Sequence, residues 1–243
     1  MKKHLLLLAS LMAGFSMVTA RAQPGPPPGP NWDGAMAKLF GDNTGFSATM
    51  EFHVTRSPGG EMIVPGKIAV LEGKSRFDMD LSTMQGGHMP PQAAARMKQM
   101  GMGKMTAITL RDKKLSYIIY PDMKAYMENA ALETGAAPAE YKTEVTKLGE
   151  ETIDGHDCVK NKVVVTGPDG VAHESTVWNA SDLNQFPVKI QTTSEKGTAT
   201  VMLFKDVKMD KPDATQFDLP ADFTKYDSMM SLIMSRARGA PPQ

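Results

Sequence analysis

The chain has 243 residues, with 27 basic and 27 acidic side chains, 20 methionines and a single cysteine, Cys158. This balance of charge shows no excess of basic residues of the kind expected for nucleic-acid binding, so we expect no nucleic-acid partner. One cysteine excludes an internal disulfide framework. A domain of about 200 residues nevertheless suffices for one hydrophobic core without such cross-links.

The N-terminus has the pattern of a cleavable secretory signal peptide over residues 1–22. Lys2 and Lys3 precede an apolar stretch, and small residues follow it, so cleavage is expected after Ala20 or Ala22. Cleavage after Ala22 removes three basic residues and leaves 24 basic against 27 acidic residues, a net charge of −3. We therefore expect a mildly acidic protein in the periplasm or outside the cell.

The remaining sequence predicts one domain with flexible ends. Residues 23–30 form a Pro-rich linker, residues 31–236 the domain, and residues 237–243 a disordered tail. The domain opens with a predicted short helix over residues 31–40, whose apolar side chains recur at helical spacing. A second helix is predicted over residues 92–100 and a third over residues 227–236.

Residues 46–54 give the clearest strand signal. Apolar side chains from Phe46 to Val54 alternate with polar ones, the period of two that a sheet with one buried face requires. A β-hairpin is predicted where two β-rich runs flank the turn Gly167-Pro168-Asp169-Gly170, and we take this hairpin as the element onto which the other strands add. Further strands are predicted over residues 62–71, 75–81, 106–111, 115–120, 124–128, 187–193 and 198–207.

Short turns between these strands imply antiparallel pairing, and a long meander has to curl or be covered. Residues 213–223 are predicted as an ordered segment after the last strand, held by Phe217, Leu219 and Phe223. We expect a mainly β (α+β) fold, a curved antiparallel β-sheet or half-open β-barrel with a few covering helices.

Two family resemblances support this fold. The order of the early strands resembles periplasmic carriers of the LolA/LolB superfamily, over residues 46–54, 66–71, 75–81, 109–112 and 115–121. The C-terminal half resembles the DUF4412 family of exported bacterial proteins, in the motifs at residues 149–155, 177–178, 186–189, 204–207 and 217–220, with Phe223 and Tyr226. The resemblance implies a LolA-like fold, a half-open antiparallel barrel with a helical lid. In the carriers, the cavity beneath that lid holds lipoprotein acyl chains.

The sequence contains no signature of an enzyme. It has no Gly-x-Ser-x-Gly elbow, no pair of histidines at metal-ligand spacing and no phosphate-binding glycine loop. His156 and Cys158 would share one face of a strand, but two soft ligands without a third favour a buried structural cysteine over a metal site. We expect a non-enzymatic protein without a cofactor.

Methionine is the unusual feature of the composition, because nine of the 20 methionines lie between Met79 and Met127. Thioether side chains are flexible and apolar, and a methionine-lined lid suits ligands of varied shape. The expected partner is an apolar ligand, by resemblance a lipid or a lipoprotein acyl chain. The candidate cavity residues are Phe46, Met50, Phe52, Phe77, Met79, Met97 and Met100.

A Cu(I) or other soft-metal site is the alternative interpretation of the methionine-rich segment, since thioethers are soft ligands. Its candidate ligands are His88, Met97, Met100, Met102 and Met105. Arg96, Lys98 and Lys104 stand between these methionines, and for this reason we favour the apolar lid. A third interpretation is a structural envelope module whose partner is another protein, which a large exposed apolar patch away from any cavity would favour.

Overall fold

The computed structural model describes residues 34–56, 60–86, 91–130, 140–194 and 197–237. The predicted signal peptide, Pro-rich linker and almost all of the predicted tail lie outside these residues. Within them, the strands are β1 (Gly45–Arg56), β2 (Gly60–Leu71), β3 (Lys74–Asp80), β4 (Gln85–Gly86), β5 (Lys104–Leu110), β6 (Leu115–Tyr120), β7 (Ala125–Ala130), β8 (Lys142–Ile153), β9 (His156–Thr166), β10 (Ala172–Ala180), β11 (Phe186–Thr193), β12 (Ala199–Lys208) and β13 (Thr224–Lys225).

The strands form one open, curved sheet, which confirms the predicted mainly β, antiparallel fold class. The order across the sheet is β13-β7-β6-β5-β3-β2-β1-β12-β11-β10-β9-β8, with the short β4 paired to β2. Neighbouring strands are antiparallel except β13, which runs parallel to β7. Pairing of β1 with β12 joins the first half of the chain to the second. The predicted β9–β10 hairpin forms, but it lies near the β8 edge rather than at the centre of the sheet.

Three helices accompany the sheet: α1 (Gly34–Leu39), α2 (Pro91–Gln99) and α3 (Met229–Ala237). All three lie within about two residues of the predicted helices, apart from the start of α1, where residues 31–33 are outside the described part. Within the described residues, no helix has the length and apolar character needed to cross a membrane.

A cluster of four phenylalanines fills the inner face of the sheet. The Phe186 ring centroid lies 4.8 Å from that of Phe46 and 5.4 Å from that of Phe40, in edge-to-face contacts. Phe204 completes the cluster, 5.9 Å from Phe186. Because Phe40 directly follows α1, this cluster is what fixes α1 against β1, β11 and β12.

The outer face carries a second, smaller core. The segment after β12 crosses this face and inserts Phe217 among Ile108, Tyr117 and other side chains of β5 and β6, with Leu219 and Phe223 packed around it. The Arg76 guanidinium donates to the carbonyl oxygen of Gln216 at 2.7 Å and tethers the segment to β3. The three predicted anchor residues therefore hold the segment in place.

Ser75 is a buried polar group that has no hydrogen-bond partner within the described residues. Because a buried unsatisfied hydroxyl costs about 1–3 kcal/mol, we expect Ser75→Ala to leave the free energy of unfolding unchanged or to raise it by about 1 kcal/mol. Thr106→Val is the control, since the Thr106 hydroxyl donates to Asp78 Oδ1 at 2.6 Å, and its loss should cost about 1 kcal/mol. Urea denaturation measures both, and a loss of more than about 1 kcal/mol for Ser75→Ala would contradict the expectation.

Candidate functional site

The end of α2 fixes the position of two methionines. The Met102 N–H donates to the Met97 carbonyl oxygen at 2.8 Å, and the Gly101 N–H donates to that of Lys98 at 3.0 Å. These two bonds are the Schellman motif, which needs a residue with left-handed backbone at its turn. Gly101 provides it with φ of 75°. The motif therefore holds Met100 and Met102 on either side of Gly101.

Met123 packs directly against this turn. It ends the 3₁₀ turn Pro121–Met123 between β6 and β7, and its side chain is buried. A Cβ atom placed on Gly101 would lie only 2.7 Å from Met123 Cγ, so the two segments touch where Gly101 has no side chain. Gly101 therefore both ends α2 and allows the close contact with Met123.

Helix α3 is the third element of the candidate site, beside the end of α2 and the turn at Met123. Ser228 and Ser231 cap its start reciprocally, because each hydroxyl accepts a hydrogen bond from the other residue's N–H, at 3.1 and 3.2 Å. Leu232 is fully buried and holds the helix on the core. At the far end, the Arg236 guanidinium donates to the Met123 carbonyl oxygen and ties α3 to the 3₁₀ turn.

A depression of about 590 Å³ lies between these elements, and we call it the Met-lined depression. This volume falls within the range of about 300–1,000 Å³ that is usual for small-molecule sites. Thioether and aliphatic side chains form its apolar part, and charged and amide groups form the rest. The lining residues are Lys98, Gln99, Met100, Gly101, Met102, Asp122, Met123, Ile233 and Arg236.

The apolar surface continues from the depression along α3. Met230, Ile233 and Met234 recur at helical spacing on one face, and all three are exposed. Met100, Met230 and Met234 are 48%, 49% and 50% exposed, and they are the exposed methionines of the described part of the chain. Four of the seven exposed large apolar side chains in the described part of the chain thus lie at or beside the depression, and the other three, Val145, Leu148 and Val171, lie in β8 or just before β10.

Six of the seven predicted cavity residues lie outside the Met-lined depression. Phe46, Met50, Phe77 and Met79 are buried in the main core, while Phe52 and Met97 are partly buried and pack against it. Met100 lies in the Met-lined depression. Sequence reasoning did not assign Met123 or Ile233 to a site, because both come from segments distant from α2 along the chain.

The structure does not gather the alternative metal ligands at one place. Met102 and Met100 line the Met-lined depression, but Met105 is buried in β5 opposite Met79 and lines another depression, of about 490 Å³, next to Arg76 and Asp78. His88 lies outside the described residues. Among the residues that are described, no three His, Cys, Asp or Glu side chains group as a metal site.

Cys158 is a buried thiol, as expected from its position in a strand. Burial raises the pKa of the Cys158 thiol and so keeps it protonated. His156, two residues before Cys158, places its Nδ1 atom 2.8 Å from Asp182 Oδ2 in the turn between β10 and β11. This arrangement gives Cys158 a packing role rather than a reactive one.

Solved structures of low identity resemble this chain. They include a LolA-superfamily protein from Nitrosomonas europaea (12% identity, 76% of this chain and 94% of that chain, TM-score 0.38). Others are the lipoprotein LppX of Mycobacterium tuberculosis (11%, 74% and 96%, TM-score 0.40) and MucB in complex with MucA (14%, 77% and 59%, TM-score 0.38). TM-scores below 0.5 at this identity say nothing about function.

Sequence comparison supports the family resemblance over part of the chain. No curated protein matches the chain. Residues 68–186 match the family model described as a domain of unknown function, DUF4412. This range includes the predicted motifs at residues 149–155 and 177–178, whereas the motifs after Phe186 lie beyond it. The match confirms the predicted resemblance: from the middle of β2 to the start of β11, the chain is similar to the DUF4412 family.

Proposed function

We propose that this protein is a non-enzymatic binding protein, or carrier, for an apolar ligand such as a lipid or an acyl chain, and that the ligand binds at the Met-lined depression. The observation that carries the proposal is a depression of about 590 Å³ lined by the exposed side chains of Met100 and Ile233, with Met230 and Met234 exposed beside Ile233 on the same face of α3. Apolar surface gains roughly 25 cal/mol per Å² when it is removed from water, so an apolar occupant is favoured there.

The lining also supports an acyl chain with an anionic end. Methionine side chains are unbranched and adaptable, and they can follow a flexible chain. Two cations, Lys98 and Arg236, stand at the depression against one acid, Asp122. The proposed location, periplasmic or extracellular, rests on the N-terminal sequence pattern. An envelope protein is the other candidate partner, but the exposed patch adjoins a depression, which favours a small ligand.

A negative charge placed in the depression should weaken binding. We expect Met100→Glu combined with Ile233→Glu to weaken binding of a dansyl-labelled fatty acid at least tenfold, because a carboxylate in an apolar contact loses its hydration and also repels the anionic end of the ligand. Each tenfold step corresponds to about 1.4 kcal/mol. Fluorescence titration measures the dissociation constant.

The matched control is Leu148→Glu in the edge strand β8, because Leu148 is 53% exposed but β8 lies at the other end of the sheet order from β6 and β7, whose connecting turn lines the depression. This variant should bind as the unaltered protein does, and Met100→Leu should remain within about twofold because it preserves an apolar side chain. Equal binding by the double-Glu variant would place the site elsewhere. No binding by the unaltered protein would refute the proposed function.

A further inference from the structure

The methionines of this surface differ from those of the core in their exposure to solvent. Met100, Met230 and Met234 are about half exposed, whereas Met50, Met105 and Met123 are buried. Thioether sulfur is oxidised by peroxides that can reach it, and the product, methionine sulfoxide, is polar. The exposed sulfurs of the described chain are thus concentrated at the surface where an apolar ligand is proposed to bind.

We propose that Met100, Met230 and Met234 form a modification site for peroxides, and that their sulfoxidation releases the apolar ligand; the release step rests on the proposed function. The thioether sulfur attacks one peroxide oxygen, the O–O bond breaks and an S–O bond forms. Sulfur is oxidised by two electrons and the peroxide is reduced. With hydrogen peroxide, the transferred oxygen gives up its proton to solvent and the departing hydroxide takes one up, so the products are the sulfoxide and one water molecule.

Loss of the ligand follows from the polarity of the product. An S=O group accepts hydrogen bonds from water, and contact with an acyl chain removes them without replacement. The fold does not depend on these three side chains, because Leu232 holds α3 to the core from the opposite side of the helix. Oxidation at the exposed positions should therefore change binding without unfolding the protein.

The test compares the purified full chain with a variant carrying Met100→Leu, Met230→Leu and Met234→Leu. Both are treated with dilute hydrogen peroxide under native conditions, peptide mass spectrometry follows each methionine, and the dansyl-labelled fatty acid reports binding. We expect Met100, Met230 and Met234 to oxidise at least about tenfold faster than Met50 or Met105. Binding by the unaltered chain should fall at least about fivefold and recover after methionine sulfoxide reductase treatment.

The triple-Leu variant is compared with itself before and after treatment, and peroxide should leave its affinity for the probe unchanged because it lacks the three exposed sulfurs. Equal oxidation rates at exposed and core methionines would overturn the modification site. Unchanged affinity of the oxidised chain, or an equal loss in the triple-Leu variant, would overturn the release step. If the untreated chain does not bind the probe, the proposed function and the release step fail together, while the oxidation rates still decide whether the modification site exists.

Discussion

Replacing Phe186 by Ala is expected to lower the free energy of unfolding by about 3–5 kcal/mol, the largest effect of any single substitution considered for this chain. Phe186 is fully buried and contacts the rings of Phe40, Phe46 and Phe204. Its removal would leave a cavity where α1 meets three strands, and this region has little room to collapse. Urea denaturation followed by circular dichroism measures the loss.

The control for Phe186→Ala is Leu148→Ala, which removes an exposed side chain from β8 and should cost no more than about 0.5 kcal/mol. A double variant with Phe46→Ala tests the cluster itself. Because Phe46 and Phe186 are in direct contact, the two losses should not add, and the difference should exceed about 0.5 kcal/mol. A loss below about 1 kcal/mol for Phe186→Ala would show that the cluster does not hold α1 to the sheet.

Gly66→Ala is expected to destabilise the protein by about 1–3 kcal/mol, although it adds only one methyl group. A Cβ atom at Gly66 would lie 2.6 Å from the carbonyl oxygen of Asp78 on β3. That stretch of β3 has little freedom to move, because the Asp78 carboxylate accepts hydrogen bonds from Arg76 and Thr106. One of the two central strands would therefore have to shift.

Gly149→Ala is the matched control for Gly66→Ala. It makes the same chemical change within a strand, but a Cβ atom at Gly149 meets nothing within 4 Å. We expect its effect to stay within about 0.5 kcal/mol. If both variants lose the same stability, the cause is the general difference between glycine and alanine and not the close approach of β2 to β3.

The strands that alternate in hydrophobicity were predictable from the sequence, and β6 was predicted at its observed bounds, residues 115–120. The edge strand β8 was missed. Nearly all of its side chains are exposed, so its sequence shows no alternation between buried and exposed positions and predicts a polar loop. Such charged edges protect an open sheet from pairing with other chains. The hairpin turn was predictable because its residues specify their own backbone conformation.

The proposed binding surface was predictable only in part. The end of helix α2 at Gly101 and the helical spacing of Met230, Ile233 and Met234 are local signals in the sequence. The contact between Gly101 and Met123 is not, because it depends on how the turn after β6 returns to the end of α2. The inward face of the sheet was predicted to line a cavity, but Phe46 on that face packs against Phe40, which follows α1, and against Phe186 of β11, and the contact with Phe186 joins segments distant in sequence.

The most direct measurement is an NMR titration of the full chain, labelled with ¹³C at the methionine methyl groups, with a fatty acid. Binding at the Met-lined depression should shift the methyl signals of Met100, Met102, Met230 and Met234 and leave those of Met50 and Met202 in place. Shifts confined to Met50, Met79 and Met202 would place the ligand inside the sheet. No saturable shift at any methionine would contradict the proposal that this surface binds an apolar ligand.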